Sequence, residues 1–272
     1  MEKKDGRITE AIGSSLSETI KSRLIEQFQP RGDRPTLRLS QMGPRCPRAL
    51  WYSIHRPELA QPVPPWTNIK FSYGHILEAL VIALAKAAGH RVEGEQDEVT
   101  VDGVLGHRDC VIDGCLCDIK SCSSLMFKKL KSKTLATDDP FGYLCQLDAY
   151  VVGSAEDPIV ITKDRGYIVG IDKTLGKVVL YEHIIRQSDI RSRISAARSI
   201  VNLPEPPGCN CGTRPHYGGN IKLDTRASYS AQKYCCFPGI RTFLYAEGPV
   251  DLVKVVRKPD VPEIDRYGQF IY

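Results

Sequence analysis

The sequence predicts an α/β fold in which a mixed central β-sheet is flanked by helices, with an amphipathic helix at the N-terminus and a cysteine-rich appendix at the C-terminus. Three observations predict it. Segments of helical and strand periodicity follow one another as helix, strands, helix, strands, helix across residues 73–202. An Asp113-Gly114 pair separates two runs of strand-forming residues. The hydrophobic fraction, 42% of 272 residues, is enough for a buried core.

The elements follow in order. In residues 7–29, Ile8, Ile12, Leu16, Ile20, Leu24 and Phe28 recur at helical spacing and stop before Pro30, predicting an amphipathic helix that braces or lids the core. Residues 31–35 are a linker. Residues 46–55 form a short helix, and 57–65 a proline-rich loop. Residues 73–89 read as a buried helix closed by Gly89, with Glu78 in its early turns. A carboxylate on so apolar a helix costs several kcal/mol unless it is paired or bound to a cation. Strands are predicted at 98–101, 105–112 and 115–121, a helix at 141–152, and strands at 159–162, 167–172 and 177–182. A polar helix at 187–202 closes the core. The chain thus divides into 1–35 (helix and linker), 36–205 (core) and 206–272 (appendix and extended tail).

Composition narrows the function classes. The net charge of +5 and pI near 8.6 are compatible with a polyanionic partner without demanding one. The longest apolar stretch, residues 79–88, carries Lys86 and falls short of the roughly 18–20 residues of a membrane span. The first residues, MEKKDGRITE, lack the apolar stretch of a secretory signal. An intracellular, cytoplasmic protein without a membrane partner is expected, with its ten cysteines mostly reduced.

The chemistry concentrates in GHRDCVIDGCLCDIKS. A two-residue type I′ turn at Asp113-Gly114 pairs Ile112 with Cys115 and, stepping outward, sets Asp109 opposite Asp118 and His107 opposite Lys120. Alternation then places these four on one face, and Cys110, Ile112, Cys115, Cys117 and Ile119 on the other, as packing residues. Facing carboxylates repel unless positive charge lies between them. Oxygen ligands suit Mg2+ or Mn2+, with Glu78 a third carboxylate. Lys120 can orient or deprotonate a water, or stabilise developing phosphate charge. An isolated D-x-K is common on solvated hairpins; the matching register of Asp109 makes this one a site.

These residues resemble the PD-(D/E)XK nuclease superfamily, its RecB-like and phage-exonuclease branch in particular. The resemblance is carried by an ordered series over residues 36–202: SQMGPRCPRALWY from Ser40, Gly74 to Glu78, GHRD ending at Asp109, Asp118-Ile119-Lys120, and QLDAY from Gln146 to Tyr150. It implies a restriction-endonuclease-like core. It further implies Glu78, Asp109, Asp118 and the Ile119 carbonyl as metal ligands, and Lys120 as the residue assisting water attack. Gln146 and Tyr150 then face the active site or DNA as a Q-x-x-x-Y element. Arg108 stands where the family name has proline. The activity implied is Mg2+- or Mn2+-dependent hydrolysis of DNA, as an exonuclease of phage or prokaryotic replication, recombination or repair, with a partner protein of those processes. A structure-specific or restriction-like endonuclease is the alternative, and a catalytically silent DNA-binding module the alternative of another class.

Some relatives of this branch hold an iron-sulfur cluster on one cysteine before and three after the nuclease motifs. Cys46 stands where the first would, and Cys209, Cys211, Cys235 and Cys236 supply the later set without the usual C-x-x-C spacing. With or without His216 they are candidates for Zn2+ or a cluster, against ordinary reduced thiols. Lys128, Lys129, Lys131 and Lys133, with Arg186, Arg191, Arg193 and Arg198, are candidate phosphate contacts. His75 and His107 are read as structural or phosphate-contact histidines.

Overall fold

A computed structural model describes residues 35–63 and 65–271. The helix predicted at 7–29 lies outside the described residues. The core is a five-stranded mixed sheet of order β1-β4-β5-β6-β7, built from Val92–Glu93, Cys110–Ile112, Cys115–Cys122, Arg165–Asp172 and Val178–Ile184. Its β5 and β6 are parallel, and its other neighbours antiparallel. A separate hairpin, β2 (Glu98–Val101) and β3 (Val104–His107), stands beside it.

Helices cover both faces of the sheet. On one face lie α3 (Ser124–Lys131), α4 (Tyr143–Gly153) and α5 (Gln187–Val201), burying Leu130, Leu147, Tyr150 and Ile194 against Leu116 and Ile168. On the other, α2 (Pro65–Ala87) sets Ile82 over Cys110, Cys117, Ile119 and Val169. The short α1 (Pro47–His55) packs on α5, with Trp51 Nε1 donating to the Leu203 carbonyl at 2.9 Å. Among the described residues no helix is long and apolar enough to cross a membrane.

Four expectations are corrected. The strand predicted at 105–112 breaks at Arg108-Asp109, because the Arg108 side chain is drawn inside and the backbone turns to follow it; its first half pairs with β2. His107 therefore faces Glu98 and is exposed, rather than lying opposite Lys120. Residues 159–162 form no strand. The Ile161 and Thr162 amides both donate to the single carbonyl of Gly114, and β6 takes the place beside β5. The helix predicted at 73–89 begins at Pro65 and is buried on one side only, leaving Phe71, Tyr73, Ile76, Leu80 and Leu84 between 48% and 63% exposed.

The appendix is more regular than its composition indicates. Residues 213–271 contribute a six-stranded sheet of order β13-β12-β10-β11-β9-β8, around Phe243 and Leu252. Its strands are β8 (Thr213–Pro215), β9 (Ile221–Leu223), β10 (Arg241–Tyr245), β11 (Gly248–Lys254), β12 (Glu263–Ile264) and β13 (Phe270–Ile271). Two one-turn helices, α6 (Thr225–Ser228) and α7 (Lys233–Cys236), join β9 to β10. Under them Lys233 Nζ and Asp251 form a buried ion pair at 2.7 Å.

Candidate active site

The hairpin register is the one the turn predicts: Ile112 pairs with Cys115 and Cys110 with Cys117, through Asp113 at φ 50° and Gly114 at φ 80°. Both turn residues occupy the left-handed region that a type I′ turn requires. Cys110 and Cys117 fall on the α2 face, where burial pushes the Cys117 thiol up to about 12 and the Cys110 thiol higher still. Thiols in that state pack as small apolar groups.

Asp118 lies on the other face, fully buried, with Lys120 Nζ 2.6 Å from its Oδ1 and 4.0 Å from Asp109 Oδ2. Asp109 is fixed from the adjacent strand, its Oδ2 accepting from the Ile119 amide at 2.6 Å. Ile119 thus contributes its backbone to the centre while its side chain packs beneath α2. Asp118 Oδ2 is buried and has no hydrogen-bond partner among the described residues. A desolvated carboxylate oxygen without a donor is costly, and a cation answers that cost.

The electrostatics agree. Burial raises the Asp118 carboxyl above its usual range, the Lys120 charge opposes that shift, and Asp109 adds to it. Glu78 is raised by partial burial and then by the charge of Asp109. Burial alone would lower the Lys120 ammonium, but Asp118 and Asp109 outweigh it and hold the group firmly protonated. Asp118 and Asp109 share Lys120, and Glu78, partly exposed, feels the charge of Asp109 and of Lys120; oxygen donors of this kind suit Mg2+ or Mn2+.

The surrounding residues include two that spacing alone did not single out. Gln96, at φ 57°, donates from Nε2 to Glu78 Oε1 at 2.5 Å, and its amide donates to the Asp109 carbonyl at 3.1 Å. Arg108, 1% exposed, clamps that turn through Asp97 (2.8 Å) and the Gly94 carbonyl (3.3 Å), and ties it to the end of α4 through Asp157 (2.7 Å) and Ser154 (3.1 Å). A guanidinium thus holds the hairpin beside Asp109. The only signal in the sequence was that Arg108 adjoins Asp109.

Gln146 Nε2 donates to the Tyr150 hydroxyl at 2.8 Å across one face of α4. Tyr150 is 3% exposed, and burial pushes its phenol up to about 12, with Asp118 a smaller cause in the same direction. Between them Asp148 turns away to His183 and the Arg186 amide. Lys128 and Lys131 are exposed on α3, whereas Lys129 is held by Asp138 at 2.6 Å. Arg191 and Arg198 are drawn to the Asp102 side chain and carbonyl, tying α5 to the β2–β3 turn instead of lining a groove. His75 adds a weak positive influence on Glu78.

The cysteines assemble a second centre. Cys46, the residue before α1, meets Cys209 and Cys236 at Sγ–Sγ distances of 3.7 Å, and Cys211 joins them so that all four sulfurs lie within 4.8 Å of one another. Cys235 is excluded, because it precedes Cys236 on one helical turn and points elsewhere; His216 is excluded also, its ring facing Tyr245. A zinc ion at about 2.3 Å from four thiolates sets them about 3.8 Å apart, so the cage has the dimensions of a single tetrahedral ion. Contacts from Cys211 and then Cys236 pull the Cys46 thiol strongly down, toward thiolate.

No protein-family model matches the chain, and no curated protein does at significance. Among solved structures, that of SSO0001 superposes with a TM-score of 0.43 at 18% identity, over 70% of this chain and 89% of that one. An alkaline exonuclease (LHK-Exo) from Laribacter hongkongensis superposes at 0.37 and 16% identity, over 48% of this chain and 68% of that one. At these values the likeness carries no functional argument.

Proposed function

We propose that the chain is a metal-dependent nuclease that hydrolyses DNA phosphodiesters at Asp109, Asp118, Lys120 and Glu78. The observation that carries this is the buried Asp118, its Oδ2 unpartnered, set against Asp109 and Lys120 within 4.0 Å. Asp118, Asp109 and Glu78, with the Ile119 carbonyl, are the residues that would hold Mg2+ or Mn2+, which supplies charge stabilisation at the phosphate and lowers the pKa of an attacking water. The other steps belong to the chain's own residues. Lys120, held protonated, keeps a positive charge where the phosphate becomes more negative and orients water through its remaining protons. Tyr150, protonated and braced by Gln146, walls the centre beside it. Gln96 keeps Glu78 turned toward Asp109.

The exonuclease mode accompanies the resemblance of the motif series. The four-cysteine cage is proposed as a structural zinc site fastening α1 to the appendix.

The test supplies linear and covalently closed DNA with Mg2+ or Mn2+, for the native protein and Asp118→Ala. Loss of linear DNA alone supports the exonuclease, and nicking of circles the endonuclease. Equal activity in the variant would sink the assignment, and DNA binding without cleavage would favour the silent module.

A further inference from the structure

Helix α2 carries more apolar surface than the sheet covers. From Ile76 to Ala85 its only polar side chain is Glu78, which is tied by Gln96 to the Asp109 corner. One side of α2 sets Ile82, with Leu77 and Val81, on the sheet. The other side carries Tyr73, Ile76, Leu80 and Leu84, all exposed. Their spacing of i, i+3, i+7 and i+11 draws one continuous stripe along the helix. A helix that is apolar on both sides belongs in an interior, with a neighbour on each.

Residues 7–29, outside the described part of the chain, have the opposite imbalance. Their apolar positions recur every fourth residue from Ile8 to Phe28, while Glu10, Glu18, Lys21, Arg23 and Glu26 lie between them. A helix with one apolar stripe and a charged back needs one apolar surface to cover. Ridges of residues four apart, Ile76-Leu80-Leu84 on α2 and Leu16-Ile20-Leu24 in this segment, interdigitate in the commonest class of helix contact. The chain enters the fold at Arg38, bridged to Leu105 of β3, the strand that leads to Asp109. Residues 30–34 span at most about 17 Å, so the segment stays close and is presented to its own molecule at roughly millimolar concentration. The exposed apolar residues of edge strand β7, Val178, Leu180 and Ile184, suit it less. They alternate at strand spacing, and Glu182 interrupts them, paired with Arg165 at 2.6 Å.

We propose that residues 7–29 dock as a helix on the exposed stripe of α2 in the same molecule, with Leu16, Ile20 and Leu24 against Ile76, Leu80 and Leu84. Helix α2 is then held between the sheet and this segment, and the helix that supplies Glu78 is braced from behind. The proposal stands on packing alone and holds whether or not Glu78 binds a metal.

The test is limited trypsin digestion of the full chain, with cleavage after Lys21, Arg23 and Arg31 followed by mass spectrometry and the molar mass by sedimentation. Lys21 and Arg23 lie within the docking segment, and Arg31 lies in the linker as an internal control. Cleavage at the first two sites reads the undocked population. Leu80→Asp changes a residue that the described fold leaves exposed, and should speed cleavage at Lys21 and Arg23 at least tenfold while Arg31 is unchanged. Ile20→Asp should do the same from the other partner, the double variant should be cleaved no faster than either single one, and Leu80→Met should behave as native. Native protection should be the same at every protein concentration. Equal cleavage at Lys21 and Arg23 in native protein and Leu80→Asp would overturn the proposal. So would protection that grows with concentration alongside a dimer that Leu80→Asp dissociates, which would give the stripe to a second copy of the chain.

Discussion

Replacing Arg108 by methionine keeps the apolar stem of the side chain but deletes its guanidinium, a buried charge beside Asp109. Four contacts are lost: Asp157 at 2.7 Å, Asp97 at 2.8 Å, Ser154 at 3.1 Å and the Gly94 carbonyl at 3.3 Å. Asp97 is 53% exposed and rehydrates, so its ion pair contributes under about 1 kcal/mol. Asp157 is more enclosed, at 29%, and its charge-assisted bond contributes about 1.5 kcal/mol, with about 1 kcal/mol more from the bond to Ser154. The expected destabilisation is about 3 kcal/mol, read as a lower urea midpoint at unchanged slope. Because the clamp holds the turn that carries Gln96 to Glu78 and to the Asp109 backbone, half-saturation by Mn2+ should also rise, by about tenfold, as for residues that orient metal ligands. A loss below about 1 kcal/mol together with unchanged metal dependence would refute the clamp. A loss of stability without any change in metal dependence would reduce Arg108 to a core residue.

Other outcomes follow from the same geometry. Asp118 and Glu78 have raised folded-state pKa values, so without metal the native state binds more protons than the unfolded one, and stability should fall as pH rises from the usual carboxylate range through the raised values. Asp118→Asn should flatten that fall, and Mg2+ or Mn2+ should raise Tm at pH 8 but hardly at pH 4; an equal metal effect at both pH values would argue against carboxylate ligation. Cys46→Ser should release the metal of the sulfur cage while Cys235→Ser retains it, measured by elemental analysis with a visible spectrum of anaerobically purified protein. A brown, iron-containing protein would replace zinc by a cluster, and full retention of metal in Cys46→Ser would dissolve the site. Neutralising the exposed Lys128 and Lys131 together should weaken DNA binding and flatten its logarithmic salt dependence by roughly 2, since each phosphate contact released contributes about 0.9 to the slope; an unchanged slope would remove α3 from the DNA path.

Local rules carried the sequence a long way where they act alone. Asp113-Gly114 determined the turn, the turn determined the register, and the register put Asp118 on the face opposite Cys110 and Cys117 before any tertiary contact was known. The helices at 47–55, 143–153 and 187–201 were legible from periodicity for the same reason. What escaped depends on residues distant in the chain. Arg108 is drawn inward by Asp97 and Asp157, breaking a strand that alternation alone would continue and sending His107 to a different hairpin. Whether Cys235 or Cys236 completes the sulfur cage is decided by the rotation of a four-residue helix against Cys46, nearly two hundred positions earlier. Alternation and turn chemistry are properties of neighbouring residues and are written in the sequence. The partner of a buried charge or thiol is chosen by packing, because desolvation penalises every arrangement but the one that brings a complementary group to it, and that choice exists only in the folded chain.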